Sequence, residues 1–139
     1  MIAPVVLLGC GAAKRSSASP AWDLYVGNLY RARLAYAREL GGPHFILSGL
    51  LGLVPADRVI DPYDYDLRRA PRLERLAWRD RVAGSICRSI DRRAPLVVLA
   101  SGPYLEPLEL CGGRVVDVPA RGLTLGASLA WFAARRRAA

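Results

Sequence analysis

Apolar residues fall along the chain in two alternating patterns, short continuous runs and longer segments at helical spacing. Pro4 to Gly9 is a continuous apolar run ended by Gly-Cys-Gly, the signature of a buried strand. Leu29, Leu34, Ala37 and Leu40 then stand near helical spacing, Gly41-Gly42 ends that helix, and Phe45-Ile46-Leu47 forms a second strand. Arg69 to Arg92 predicts the longest helix, with Leu73, Leu76, Ala77, Ala83, Ile86, Cys87 and Ile90 as its apolar stripe. Pro95 to Ala100 predicts a third strand, Tyr104 to Leu110 a short helix, Val115 to Val118 a fourth strand and Leu125 to Arg137 a closing helix. Residues 133–139 read as a frayed basic tail.

Strand and helix in alternation predict one α/β domain over residues 1–139, with a mainly parallel four-stranded sheet covered on both faces. Ligands of such sheets bind outside the carboxyl ends of the strands. Four loops converge there: residues 9–20, 48–66, 101–104 and 119–123. The second is the most unusual, because its 61–66 stretch concentrates acids and aromatics instead of ordinary turn residues.

The 139 residues suffice for a single domain with a sizeable core. Although 53% of them are hydrophobic, Gly and Pro break every uncharged stretch well short of the ~20 residues a membrane helix needs. Met1 to Gly9 has neither a basic leader nor a small-residue cleavage pattern, so a soluble, cytoplasmic protein is expected. Cys10, Cys87 and Cys111 make no Cys-x-x-Cys pair and have one histidine, His44, beside them, which argues against a disulfide framework or structural zinc. A net charge of +8 and a pI near 10.1 favour polyanionic partners such as nucleic acid or nucleotides. Nearly all the basic residues are arginine; Lys14, the single lysine, marks a position where a compact ammonium suits better than a guanidinium fork.

Gly9-Cys10-Gly11-Ala12-Ala13-Lys14-Arg15-Ser16 follows a strand and precedes a helix, where backbone amides cradle phosphates. It lacks the Gly-Lys-Ser/Thr of a Walker loop and the third glycine of a dinucleotide fingerprint, so a phosphate or base-edge site and a plain turn both remain open. Cys10 as a nucleophile lacks a base, since His44 belongs at the other end of the sheet. In Asp61-Pro62-Tyr63-Asp64-Tyr65-Asp66, an extended backbone places Asp64 and Asp66 on one side and Tyr63 and Tyr65 on the other. Carboxylates beside stacking rings suit an oxocarbenium-like transition state; the alternative is a solvated acidic turn. Arg68, Arg72, Arg75 and Arg79 share a helical face, either gripping a phosphodiester backbone or simply solvated. Trp22, Tyr25 and Tyr30 supply either a stacking platform or core.

Gly-Cys-x-x-x-Lys after the first strand, Leu-Tyr-x-Gly-x-Leu-Tyr at 24–30, Ile-Leu-Ser-x-x-x-Gly-Leu at 46–53 and Ile-x-Pro-Tyr-Asp at 60–64 together resemble a widespread bacterial domain-of-unknown-function family. That family is similar, at a distance, to the peroxide-stress protein YaaA and to the uracil-DNA-glycosylase-like domains of archaeosine synthases. The resemblance implies a three-layer glycosylase-like fold with strand order 2-1-3-4 and action at a nucleobase or its N-glycosidic bond. Uracil-DNA glycosylases carry a water-activating Asp-Pro-Tyr after strand one, whereas Pro62-Tyr63-Asp64 follows strand two, and Ala100-Ser101-Gly102-Pro103 replaces their closing His-Ser-Pro-type loop.

The expectation is therefore an N-glycosidase or base-exchange enzyme acting on a nucleotide, a nucleoside or a base in nucleic acid, with no cofactor and no metal. Asp64 is its expected acid/base or cation stabiliser, with Asp61 or Asp66 to take that role if Asp64 is structural, and Lys14 its anchor. Gly9, Cys10, Gly11, Tyr25, Tyr30, Ser48, Gly49, Tyr63 and Ser101 are the expected substrate-binding residues. The rival reading is a non-catalytic nucleic-acid-binding protein used in stress protection.

Overall fold

A computed structural model describes residues 2–136. Its strands are β1 (Val5–Gly9), β2 (Ser19–Pro20), β3 (His44–Ser48), β4 (Gly52–Pro55), β5 (Val59–Ile60), β6 (Leu96–Leu99) and β7 (Val116–Asp117). Its helices are α1 (Ala21–Leu24), α2 (Asn28–Leu40), α3 (Arg72–Ser89) and α4 (Leu125–Ala134), joined by 3-10 turns at Leu67–Arg69 and Gly102–Leu110.

The main sheet runs β4-β3-β1-β6-β7, and β3, β1, β6 and β7 are parallel. These four are the strands expected from the apolar runs, in the order second, first, third, fourth. The sheet nevertheless has five strands, not four. Gly52, at φ +81°, turns the chain back after Ser48, and β4 pairs antiparallel to β3 from Ser48↔Gly52 to Phe45↔Pro55. Glycine and proline at its two ends made this hairpin read as loop. Ser19–Pro20 and Val59–Ile60 also form a small antiparallel ribbon that ties the first loop to the second.

A parallel strand covered on both faces needs apolar residues at every position. In β1, Val5 and Leu7 face one core while Val6 and Leu8 face the other; in β6, Leu96 and Val98 divide in the same way from Val97 and Leu99. The first core is closed by α3 and the 102–110 turn, the second by α1, α2 and α4, giving three layers. Ala83, Ile86 and Ile90 are buried as expected, but the stripe of α3 is completed by Trp78 and Val82 instead of Leu73, Leu76, Ala77 and Cys87. Leu73 is 81% exposed and Ala77 and Cys87 are also exposed, because at helical spacing they fall to one side of the face that Trp78, Val82, Ala83, Ile86 and Ile90 present to the core. Gly41 (φ +70°) and Gly42 (φ +78°) end α2 as expected; a Cβ on Gly42 would lie 2.9 Å from the Pro4 carbonyl.

α4 continues to Ala134, and the Arg135 guanidinium lies 3.7 Å above the Trp131 ring, so the expected fraying does not begin at 133. Residues 137–139 of that tail lie outside the described residues. Among the described residues no helix is long and apolar enough to cross a membrane.

Candidate functional site

The carboxyl ends of β3, β1 and β6 lie side by side, and the 61–66 segment is draped across them. Tyr63 packs into the core under α2 and Tyr65 into the core under α3, so the chain crosses from one face of the sheet to the other between them. The two rings do not share a side as an extended reading requires. Cys10, at the end of β1, touches both cores. Gly49 makes the crossing possible: a Cβ there would lie 3.1 Å from the Tyr104 hydroxyl and 3.4 Å from the Tyr65 ring. Trp78 pins the β3 end by donating its Nε1–H to the Ser48 carbonyl at 2.9 Å.

On the α2 side the hydroxyls are consumed internally. Tyr25 and Tyr63 share a hydrogen bond of 2.6 Å, and Tyr63 and Ser48 one of 2.7 Å; the Leu51 N–H donates to Ser48 Oγ at 3.0 Å. Ser48 and Tyr25 are buried, and Lys14 Nζ stands 4.5 Å over the Tyr63 ring while donating to the Ala12 carbonyl at 3.2 Å. Burial and the nearby Cys10 thiol push both tyrosines above their ordinary range. They stay protonated and cannot serve as bases.

Beside this cluster opens a cavity of about 470 Å³. Cys10, Gly11, Ala12 and Ala13 form one wall, the start of α2 with Leu29, Tyr30 and Arg33 a second, Tyr65, Asp66, Arg68 and Tyr104 a third, and Leu125 and Leu129 of α4 the rim. Tyr30 is fixed by donating to the Trp22 carbonyl at 2.8 Å, and Cys10 Sγ donates to the Tyr104 hydroxyl at 3.4 Å. Burial raises the Tyr30 and Tyr104 hydroxyls too, so both stay protonated, and with 3% and 7% of their surface exposed they leave little ring face open to the cavity. Asp66 is the one carboxylate in the wall. Its Oδ1 accepts the Arg68 N–H at 3.0 Å and its Oδ2 lies 3.6 Å from Arg69 Nε, which fixes its orientation. The Arg68 guanidinium reaches Ser101 Oγ at 3.4 Å.

Of the expected site residues, Cys10, Gly11 and Tyr30 line this cavity and Ser101 supports it through Arg68. Tyr25, Ser48, Tyr63 and Lys14 form the adjacent closed cluster, and Gly49 packs beneath Tyr104 and Tyr65. Gly9 is locked in the sheet against Leu47, and the Cys10 amide, expected to face a phosphate, donates to the Leu47 carbonyl at 3.1 Å. Asp64, the expected catalytic acid, lines no wall of the cavity; Asp66, also exposed, does. The arginine series is also divided. Arg68 precedes α3 and enters the cavity, Arg75 pairs with Glu106 at 3.5 Å, Arg79 with Asp80 at 3.0 Å, and Arg72 is exposed.

Sequence reasoning missed Arg33, Tyr65 and Tyr104 as site residues. Arg33 had a signal: it stands three and four residues after Tyr30 and Leu29, a charge on the flank of the apolar face. Among the described residues no group of three or more His, Cys, Asp or Glu side chains converges as a metal-ligand set.

Comparison with known proteins gives a match to the model of a family of unknown function, DUF6884, over residues 5–134. No curated protein and no solved structure matches.

Proposed function

The chain belongs to the DUF6884 family of unknown function, and we propose that it is an N-glycosidase or base-exchange enzyme whose nucleotide-type substrate sits in the cavity at the carboxyl edge of the sheet. The observation that carries this reading is the placement of Asp66, a single carboxylate in a wall that otherwise offers neutral tyrosine rings, a thiol and two guanidinium groups. Cleavage of an N-glycosidic bond builds positive charge on the sugar ring, and a fixed carboxylate stabilises that charge or takes the proton of the attacking water. Half-buried Tyr65 offers ring surface for a base, while Tyr30 and Tyr104, 3% and 7% exposed, add apolar lining beneath it.

In the hydrolytic form, Asp66 accepts a proton as the water oxygen bonds to the anomeric carbon. The carbon–nitrogen bond breaks, its electron pair stays on the base, and the base takes up the proton that Asp66 gained from the water, which restores the carboxylate. The products are free base and free sugar. In the exchange form a second base replaces water. The resemblance to uracil-DNA-glycosylase-like domains expected from the first strand and its Gly-Cys-x-x-x-Lys region at 9–14 suggests the same bond, although the matching family itself is of unknown function.

The test is to incubate the protein with nucleotides, nucleosides and modified DNA, and to measure released base by mass spectrometry. Release that disappears in Asp66→Asn supports the reading. Absence of release from every substrate, with nucleic acid bound in a salt-dependent way, would favour the non-catalytic alternative, for which exposed Arg69 and Arg72 supply the contacts.

A further inference from the structure

We infer that Arg33 and Arg68 form a clamp for a phosphomonoester, so that the molecule bound in the cavity is a free nucleotide with a terminal phosphate, not a nucleoside or a base within a polymer. This rests on the cavity being the nucleotide site proposed above.

Both guanidinium groups line the same cavity, from different walls, and neither is in an ion pair with a carboxylate among the described residues. Arg38, Arg69, Arg75, Arg79 and Arg93 pair with acids and Arg114 donates to the carbonyls of Ile90, Asp91 and Ala94; Arg15, Arg58, Arg72 and others also lack an acid partner among the described residues, but only Arg33 and Arg68 bring their charges into this cavity. The one acid at hand, Asp66, spends its oxygens on the Arg68 amide and on Arg69. Burial, together with the charge of Arg68, pushes the Arg33 guanidinium down to about 10, which leaves it cationic at neutral pH but poorly compensated. Arg33, half-buried beside the exposed Arg68 and with no acid paired to it, is costly to hold as a cation until an anion arrives.

The charge count selects the anion. A phosphomonoester carries about −1.5 to −2 at neutral pH, matching two guanidinium groups, and its oxygens suit their paired donors. A phosphodiester brings one charge and must leave the cavity in both chain directions. The first turn of α2, whose N-cap Gly27 has no side-chain bond to it, lies in the same wall as Arg33 and adds donors of the same sign. The Tyr65 ring is left for the base.

Calorimetry on the full chain tests the clamp with four probes: inorganic phosphate, the common nucleoside 5′-monophosphates, the matching nucleosides, and a dinucleotide. Phosphate and the monophosphates should bind saturably, with the nucleosides and dinucleotide at least about tenfold weaker than the monophosphates. Arg33→Gln and Arg68→Gln should each weaken monophosphate binding by about tenfold or more, and Arg33→Lys, which keeps the charge and loses the fork, by less. Arg72→Gln, outside the cavity, should change nothing. Equal binding of nucleosides, or equal losses in all the arginine variants, would overturn the clamp. Phosphate binding without base release from any substrate leaves the clamp standing and removes the glycosidase; base release from nucleosides and nucleotides alike, unchanged in Arg33→Gln, does the reverse.

Discussion

Two groups of polar side chains lie at the same edge of the sheet and differ in one respect: whether their hydrogen bonds and charges are already satisfied. In the Tyr25–Tyr63–Ser48 cluster each hydroxyl meets another at 2.6 to 2.7 Å, and Lys14 covers the outside. In the cavity next to it, Arg33 and Arg68 face open space with no acid partner among the described residues. Buried polar groups whose partners are all present act as structure, and groups kept waiting are where a ligand is expected. The motif that drew attention in the sequence, Pro62-Tyr63-Asp64, spends its tyrosine on the closed cluster. The residues left with unmet demands come from just after it and from α2.

The contrast breaks most sharply at Asp66. Asp66→Asn keeps an oxygen for the Arg68 N–H and removes the charge, so base release should fall by about a hundredfold or more with little change in folding stability. Asp64→Asn, outside the cavity wall, should leave turnover near normal. If the two variants exchange behaviour, catalysis belongs to the closed cluster's side and the assignment is reversed.

For the closed cluster the expected loss is of stability. Tyr63→Phe leaves the Tyr25 hydroxyl and Ser48 Oγ without their shared partner in a buried setting, which costs about 1–3 kcal/mol. Adding Tyr25→Phe should cost less than it does alone, because one stranded hydroxyl is removed. Urea denaturation measures both. A Tyr63→Phe variant of unchanged stability but raised KM would place the ring in the substrate site after all.

The difference between what was and was not readable follows from range. The four parallel strands were legible because a doubly covered strand must be apolar throughout, and the loops had to converge because parallel strands end together. The hairpin of β4 was not, since Gly52 and Pro55 carry turn chemistry and only pairing with β3 makes the segment a strand. Nor was the division of labour in the 61–66 segment. Whether Tyr63 and Tyr65 share a side depends on the crossing under which Gly49 makes room, a contact between loops far apart in sequence. Arg33 was obscured by the chain's general richness in arginine, and only its position on the cavity wall sets it apart.

Burial of the tyrosines predicts a smaller, pH-dependent effect common to both regions. The hydroxyls of Tyr25, Tyr30, Tyr63 and Tyr104 are raised above 10.0, their value when unfolded. The folded chain thus keeps protons that the unfolded chain releases, so stability is intact below that value and falls as pH rises past it. The urea midpoint should be level from neutral pH to about 9 and decline beyond about 10. Ultraviolet titration of the folded protein should show these rings ionising late; ionisation of all six tyrosines near 10 without unfolding would contradict the burial argument.

The smallest expected effect has a sign that only the open region can give. Arg33 is disfavoured as a cation by its burial and by Arg68, so without ligand it weakens the fold. Arg33→Gln should then raise the melting temperature, by no more than about 2–4 °C, equivalent to about 1 kcal/mol in a chain of this size. The gain should be constant from pH 6 to 9, because the guanidinium, lowered to about 10, stays charged over that window. It should shrink as salt screens the repulsion from Arg68. Added phosphate should stabilise the parent more than the variant and reverse their order. A loss of stability in Arg33→Gln at every phosphate concentration would mean that the arginine is a packing residue, and the two regions would then differ in exposure alone.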